Sequence, residues 1–374
     1  MRKPINYARS IFILLLLVSL LAVSAVLKIM ATVVTPIAVA VLLSFVFYPF
    51  CKNLKKIHIP WGMSIIITLI LSIAMFYVIG TLLFTSLQAI VSAAPNYEAR
   101  FTSIYKTIAS TLKLPFDEDL SLVSNLLNSM GIRAAIQNIA LTISSSIMSF
   151  SKVMMMVVLL IIFLLLEFSA MKNKIDVAFA SSNANEKILT IVRKTITEVT
   201  HFVSIKFIIS IATGLLVFLG TFVINMDFPI IWGFLAFILN FIPTFGSIIS
   251  WLVTTLFALL QFYPSFSYVV YVAALVLCMN MVLGNIIEPR WEGKDLNLSP
   301  FIILVSLSFW GWMWGFVGMI LSVPLMVIIK IVCENIEPLR PIAILIGGNP
   351  KKHTQEAKDD AQSKQISVPK NDQK

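Results

Sequence analysis

Long uninterrupted apolar runs constrain this chain more than any other feature of its sequence. Residues 153 to 166 read VMMMVVLLIIFLLL, and similar runs recur along most of the chain. A helix rises about 1.5 Å per residue, so roughly 17 to 25 apolar residues cross the bilayer core. The runs do not alternate apolar and polar residues, as the strands of a membrane barrel do. They predict an all-α, polytopic integral membrane protein.

Composition and motifs exclude several other classes of protein. Of 374 residues, 59% are hydrophobic and 12% are charged, against about half and about a quarter in soluble domains. The three cysteines and three histidines are scattered singly, without the spacing of a metal site or a disulfide framework. The phosphate loop GxxxxGK(S/T) and the hydrolase motifs GxSxG and HExxH do not occur. We expect no enzyme, cofactor, metal ion or nucleic-acid partner.

Lysine and arginine residues near the ends of the runs give an orientation, because they accumulate on cytoplasmic loops. Arg2, Lys3 and Arg9 precede the first run, and residues 51 to 58 carry three lysines after the second. We expect both segments, and residues 170 to 200, on the cytoplasmic side. Because the second run follows almost at once, the first is expected to remain as a span rather than to be cleaved as a signal peptide.

The chain divides by composition into five segments. We predict N-terminal transmembrane helices at 1–91, an extracytoplasmic helical insertion at 92–151, a transmembrane helix plus a cytoplasmic amphipathic helix at 152–204, a C-terminal transmembrane bundle at 205–346 and a disordered cytoplasmic tail at 347–374. The insertion has balanced charges and can therefore be translocated. The amphipathic helix is expected to lie on the membrane surface or against the bundle.

Two apolar segments of the C-terminal half are long for single spans. Residues 229 to 260 contain Pro243 and Gly246 near their middle, which favours an interrupted, re-entrant helix there. Residues 300 to 329 are similarly long, and each segment is either one span or a broken hairpin. In the second, small residues at helical spacing predict close helix packing, and they are Gly311, Gly315 and Gly318.

Charged residues lie together between these segments, in GNIIEPRWEGKDLNLSP at 284 to 300. Pro289 disfavours the α conformation at Glu288, so we expect extended backbone with Glu288, Arg290 and Glu292 on one face. Pro289 and Gly293 are hinge candidates. Either the cluster anchors a loop, or it lines a transport path for a solute or ion. The neutral hydrogen-bonding candidates for that path are Asn240, Asn280 and Asn285.

Two blocks of this half resemble a known family. FILNFIPTFGSIIS at 237 to 250 and LGNIIEPRWEGKDLNLSPFIILVSLSFWGWMWGFVGMILSVPLMVIIKI at 283 to 331 look like the signature of the AI-2E family. These autoinducer-2 exporter-like proteins of the bacterial inner membrane are also called permeases of the PerM or TqsA type. The resemblance implies about eight transmembrane segments, both termini in the cytoplasm, and a homo-oligomer as in some members.

The resemblance also implies a function. It favours a secondary transporter that exports the quorum-sensing signal autoinducer-2 or a similar small polar solute, with H⁺ or Na⁺ as a candidate coupling ion. A Na⁺/H⁺ antiporter of the same family and a non-transporting membrane scaffold remain as alternatives. The solute, the direction of transport, the coupling ion and the oligomeric state stay open at this point.

Overall fold

A computed structural model describes residues 7 to 111, 153 to 168, 170, 174, 177, 184 to 292 and 298 to 348. Within these ranges every long element is helical, and an isolated bridge joins Leu298 to Gly347. The helices are α1 (Tyr7–Ile29), α2 (Ala31–Lys56), α3 (Trp61–Thr111), α4 (Val153–Phe168), α5 (Ala184–Val223), α6 (Pro229–Leu239), α7 (Phe245–Phe262), α8 (Phe266–Met279), the π-helix Asn280–Ile287, α9 (Glu288–Glu292), α10 (Pro300–Asn335), the 3₁₀ turn Glu337–Leu339 and α11 (Arg340–Ile346).

Length and composition identify the membrane-crossing elements. Six helical stretches of the described chain are long and apolar enough to span a bilayer, namely Ala31–Lys56, Trp61–Ile90, Leu189–Val223, Phe245–Phe262, Phe266–Trp291 and Pro300–Asn335. Two shorter apolar helices, α4 and α6, accompany them. The protein is therefore a polytopic helical membrane bundle, as its apolar runs predict. Residues 349 to 374 of the predicted tail and residues 112 to 151 of the predicted insertion lie outside the described residues.

The chain forms two compact units. One contains residues 1–45, 167–202 and 292–374, and the other contains residues 46–166 and 203–291. In the second unit a core of seven buried residues joins α5, α6, α7 and α8, and Trp251 and Phe257 pack against it. These core residues are Val217, Met226, Trp232, Ala236, Ala258, Val272 and Val276. This core fixes the helices that surround the candidate site.

Helix α3 extends beyond its predicted span as one 51-residue helix. Near its end the Tyr97 hydroxyl donates a hydrogen bond to the Asp227 carboxylate, and the Arg100 guanidinium donates one to the carbonyl of Gln261. Burial, and then the adjacent Asp227 carboxylate, raise the pKa of Tyr97 well above its ordinary value. Tyr97 therefore remains a protonated donor at neutral pH. These bonds attach the end of α3 to the α5–α6 loop and to the end of α7.

Helix α5 runs without interruption from the predicted amphipathic segment into an apolar span. Within the first unit, Lys194 of this segment lies 3.2 Å from a carboxylate oxygen of Glu334 on α10. Lys330, one turn before Glu334, lies 3.3 Å from the other oxygen. The segment therefore packs against a helix of its own unit, which was one of the two predicted locations.

The first long apolar segment is a helical hairpin. Helix α6 ends at Leu239, and α7 begins at Phe245 and returns beside it. The rings of Trp232 and Phe257, on opposite arms, lie 4.7 Å apart between centroids. At the turn a Cβ on Gly246 would lie 1.7 Å from the Leu239 carbonyl oxygen, so no other residue allows this approach without a shift. The predicted interruption between Pro243 and Gly246 is confirmed.

The second long apolar segment, α10, also folds back on itself. Its backbone leaves the helical conformation at Trp314 and Gly315, and Gly315 has φ of 62°. A Cβ on Gly318 would lie 1.9 Å from the Trp310 carbonyl oxygen. Eight residues of straight helix span about 12 Å, so this proximity requires a turn. The Ser306 hydroxyl donates to the carbonyl of Ser322 at 2.9 Å, which extends the pairing of the two arms.

The three glycines predicted to pack helices in α10 have different surroundings. Gly318 meets the backbone of the opposite arm, and a Cβ on Gly311 would lie 2.9 Å from the side chain of Met319. Gly315 has no heavy atom within 4 Å of an added Cβ. Its positive φ, which L-residues adopt only at a cost, is what the turn requires. The helix-packing role predicted for Gly315 stays a prediction.

Candidate functional site

A cavity of about 360 Å³ lies in the second unit. This volume falls within the range of about 300 to 1,000 Å³ typical of small-molecule sites. Side chains and backbone of α5, the α6–α7 turn, α7, α8, the π-helix and α9 line it. The lining residues are Lys206, Asn240, Ile242, Pro243, Thr244, Ser247, Ile248, Trp251, Leu277, Asn280, Met281, Gly284, Asn285 and Glu288. Polar groups therefore converge on a space with an apolar wall.

The α6–α7 turn forms one side of the cavity. Pro243 has no N–H to continue α6, and Thr244 adopts a positive φ of 62° before α7 begins. Asn240, 6% exposed, donates from its side-chain amide to the Ser210 hydroxyl of α5 at 3.0 Å. This bond ties the first residue of the turn to α5. The sequence thus places an interrupted backbone where it borders a cavity, the environment that tolerates such backbone at membrane depth.

The opposite side of the cavity comes from the π-helix that continues α8. Asn280 begins this segment, and its side-chain amide donates to the carbonyl of Ser247 on α7 at 3.4 Å. Gly284 adds no side chain, and a Cβ there would meet no heavy atom within 4 Å. Asn285 lies one residue further and also lines the cavity. Amide groups consequently face the cavity from both sides.

An ion pair closes one end of the polar lining. The Lys206 ammonium of α5 lies 2.5 Å from a carboxylate oxygen of Glu288, the first residue of α9. Their side chains are 10% and 12% exposed, so both charges are largely removed from solvent. A buried charge of this kind is tolerated when it is paired at hydrogen-bonding distance. The pair makes this part of the lining strongly polar but neutral in total charge.

The cavity collects several residues that the sequence singled out as path or hinge candidates. Asn240, Asn280, Asn285, Glu288 and Pro243 all line it. The other hinge candidate of the turn, Gly246, is buried at the start of α7 against the Leu239 carbonyl. Their part in transport is not tested by this arrangement and stays a prediction.

The predicted conformation of the charged cluster is wrong. Glu288 has φ of −54° and ψ of −55°, which is helical, and α9 continues to Glu292. Pro289 is the second residue of that helix, and because proline has no backbone N–H it donates no hydrogen bond to the preceding π-helical turn. Pro289 and Arg290 are exposed, outside the cavity lining. Gly293 and the side chain of Glu292 lie outside the described residues.

Lys206 is the charged lining residue that sequence reasoning did not select. It is the last charged residue before the long apolar stretch that begins at Phe207. A lysine at that position indicates the end of an interfacial helix, because lysines near the ends of membrane spans normally extend to the membrane surface. In the structure α5 is already helical for more than five turns before Lys206, which places the residue inside the helix. Burial is what marks Lys206 as a site residue, and the sequence alone does not show that Lys206 is buried.

Comparison with known proteins places this chain in a family. The family model described as "AI-2E family transporter" matches residues 11–337. A Borreliella burgdorferi protein, assigned to transport by name without a substrate, is 31% identical over 86% of this chain and 86% of its own length. The "AI-2 transport protein TqsA" of Escherichia coli is 26% identical over 92% of this chain and 98% of its own. The chain belongs to the AI-2E family of transporters.

Proposed function

We propose that this protein is a secondary transporter that exports a small, neutral, polar solute, autoinducer-2 or a close analogue, across the bacterial inner membrane. The observation that carries the proposal is the cavity with amides on two sides and a self-neutralised ion pair at one end. The transporter class follows from the family. The chemistry of the cavity and the name of one relative support the choice of solute. The direction of export is the one that the family resemblance of the two sequence blocks implies.

The cavity lining suits a solute with several hydroxyl groups. Each asparagine amide offers both donors and an acceptor, so the side chains of Asn240, Asn280 and Asn285 can bond a hydroxyl in either direction. Because Lys206 and Glu288 neutralise each other, a charged solute would have to separate them. Trp251 and Leu277 offer apolar surface for the carbon skeleton. A neutral polyol meets these conditions without leaving a buried charge unpaired.

Autoinducer-2 is the solute that the name of one relative favours. The Escherichia coli protein TqsA, named for transport of this signal, aligns with nearly the whole chain. Its 26% identity supports a shared architecture and makes autoinducer-2 the first solute to test. We further propose that both termini lie in the cytoplasm, that the bilayer is that of the inner membrane, and that the protein assembles as a homo-oligomer.

One observation favours a second candidate function, Na⁺/H⁺ antiport. Glu288 is a carboxylate at the edge of the cavity, and a carboxylate inside a membrane protein is a typical binding group for a proton or a cation. Lys206 holds that carboxylate at 2.5 Å, so Na⁺ would have to displace an ammonium group. The antiporter therefore requires the pair to open during each cycle, whereas the solute exporter does not.

The test is transport by purified protein in liposomes. We expect efflux of autoinducer-2 from loaded proteoliposomes to exceed that from empty liposomes, and Asn280→Ala to reduce it because one cavity amide is removed. Arg290→Ala is the matched control, since Arg290 is exposed and outside the cavity lining. Efflux equal to that of empty liposomes would overturn the exporter. A Na⁺-driven change of internal pH that Glu288→Gln abolishes would instead establish the antiporter.

A further inference from the structure

The segment Asn280–Ile287 is a π-helix, in which each backbone N–H donates to the carbonyl five residues back instead of four. π-helices occur mostly as single turns within α-helices, frequently at functional sites. Here the segment covers eight residues, and its last turn closes through the backbone N–H of Glu288, which donates to the carbonyl of Leu283 five residues back. In an α-helix the same N–H would donate to Gly284, four residues back. The surrounding structure therefore has to stabilise the wider turn.

Two anchors attach this segment to α5. Leu283 and Ile287 pack in an apolar cluster with Ile205 and Ile209 of α5. The Glu288 carboxylate, directly after the segment, binds the ammonium of Lys206, which lies between those isoleucines in the sequence. One short stretch of α5 thus contacts the π-helix through apolar groups and fixes the residue that closes its last turn.

The register decides which side chains face the cavity. Asn280 and Asn285 are five residues apart, and the hydrogen-bonding pattern of a π-helix makes residues at this spacing neighbours on one face. In an α-helix, with about 3.6 residues per turn, the same two residues would point about 140° apart. Both amides line the cavity in the structure. A change to the α-helical register would turn Asn285 away and rotate Glu288 relative to Lys206.

We propose that Lys206 is a positioning residue for solute binding. By holding Glu288 it maintains the π-helical register of Asn280–Ile287, and that register keeps the Asn285 amide in the cavity beside Asn280. Lys206 thereby sets the specificity of the cavity through the position of the Asn285 amide. The proposal rests on the proposed function for the role of the cavity, whereas the register itself is tested without any transport measurement.

The first experiment measures the accessibility of position 285. Asn285→Cys and, as a matched control, Met281→Cys are introduced together with Cys278→Ala, which removes an exposed native thiol. Met281 is the second residue of the π-helix, so a change of register barely moves it. A charged methanethiosulfonate reagent is the probe. We expect Lys206→Met to slow labelling at position 285 severalfold and to leave position 281 unchanged, while Lys206→Arg keeps the original rate.

Unchanged labelling of position 285 in Lys206→Met would overturn the proposal. Lys206→Met leaves Glu288 buried without its partner and can reduce the yield of folded protein. The double variant Lys206→Met with Glu288→Gln removes the attachment without an unpaired charge, and we expect the same slow labelling there. Fast labelling in the double variant contradicts the proposal whatever the yield of the single variant.

A double-mutant cycle then separates positioning from general stability. In autoinducer-2 efflux, we expect Lys206→Met to raise KM about threefold to tenfold, the effect of one lost hydrogen bond, with little change in kcat per folded protein. In an Asn285→Ala background the same change should add almost nothing, because the amide it positions is gone. Additive effects would overturn the positioning role. Absence of any efflux would refute the proposed function, while the labelling result would still decide the register.

Discussion

At the scale of residues, Lys206 and Glu288 depend on each other because both charges are largely buried. Glu288→Gln would leave the ammonium of Lys206 without a counter-charge in the same environment. Removing one partner of a buried pair typically costs about 3 to 5 kcal/mol of stability. We expect a clear fall in the thermal unfolding midpoint of the purified protein in detergent, and recovery of most of it in the exchanged pair Lys206→Glu with Glu288→Lys.

Arg290→Gln is the control for this prediction. Arg290 is exposed two residues from Glu288, and substitutions at such positions usually change stability by less than about 0.5 kcal/mol. Equal midpoints for Glu288→Gln and Arg290→Gln would show that the buried pair contributes no more than an exposed residue.

The sequence predicted several polar residues of the cavity but not the ion pair between Lys206 and Glu288. Asn240, Asn280 and Asn285 stood out because polar residues are rare in this apolar half, and Glu288 because it belongs to a cluster of charged residues between apolar segments. The partner of Glu288 did not, because Lys206 lies 82 residues away along the chain and Arg290 was the nearer positive charge. Pairing across such a separation depends on how helices pack, which residue types alone do not specify.

At the scale of elements, breaks were predictable where the sequence lowers helix stability. Pro243 and Gly246 marked the turn between α6 and α7, and the structure confirms it. For residues 300 to 329 the sequence left a break and a single span as alternatives, because glycines at helical spacing also serve close packing and the sequence does not distinguish the two uses. No sequence signal predicted the π-helix, and in the structure it packs against α5 through Leu283 and Ile287.

Close backbone contact in the two hairpins leads to a prediction. A Cβ at Gly318 or Gly246 would lie under 2 Å from a backbone carbonyl oxygen of the opposite arm. Because backbone atoms cannot rotate away, Gly318→Ala and Gly246→Ala should force the two arms of each hairpin apart. Overpacking a protein core typically costs about 1 to 3 kcal/mol of stability, and we expect each variant to lose at least that much. Thermal unfolding midpoints of the purified variants measure this effect.

The matched control for the hairpin glycines is Gly80→Ala in α3. A Cβ at Gly80 meets no heavy atom within 4 Å, and alanine suits a helix better than glycine by roughly 0.5 to 1 kcal/mol. Gly80→Ala should therefore leave the midpoint unchanged or raise it slightly. If Gly318→Ala behaves like Gly80→Ala, the two arms of α10 do not pack as closely as described.

At the scale of the whole molecule, the hairpin α6–α7 determines how the following chain crosses the membrane. Asp227 before the hairpin donates its backbone N–H to the side chain of Gln261 at its end, at 2.8 Å, so both ends of the hairpin lie together. The hairpin thus enters and leaves on one side. Tyr97, near the end of α3, donates a hydrogen bond to Asp227, so α3 ends on the same side of the membrane as the hairpin. The charge pattern predicts that this side is outside.

If this side is outside, α8 with the π-helix crosses inward, and we predict that Arg290 lies on the cytoplasmic side. We test this with Arg290→Cys and Ser265→Cys, both at exposed positions, each combined with Cys278→Ala. A membrane-impermeant maleimide added to intact cells should label Ser265→Cys, which precedes α8, and should label Arg290→Cys only after the cells are opened. Labelling of Arg290→Cys in intact cells would mean that α6 and α7 together cross the membrane once, because a single crossing in place of a hairpin reverses the side of every later residue up to α10.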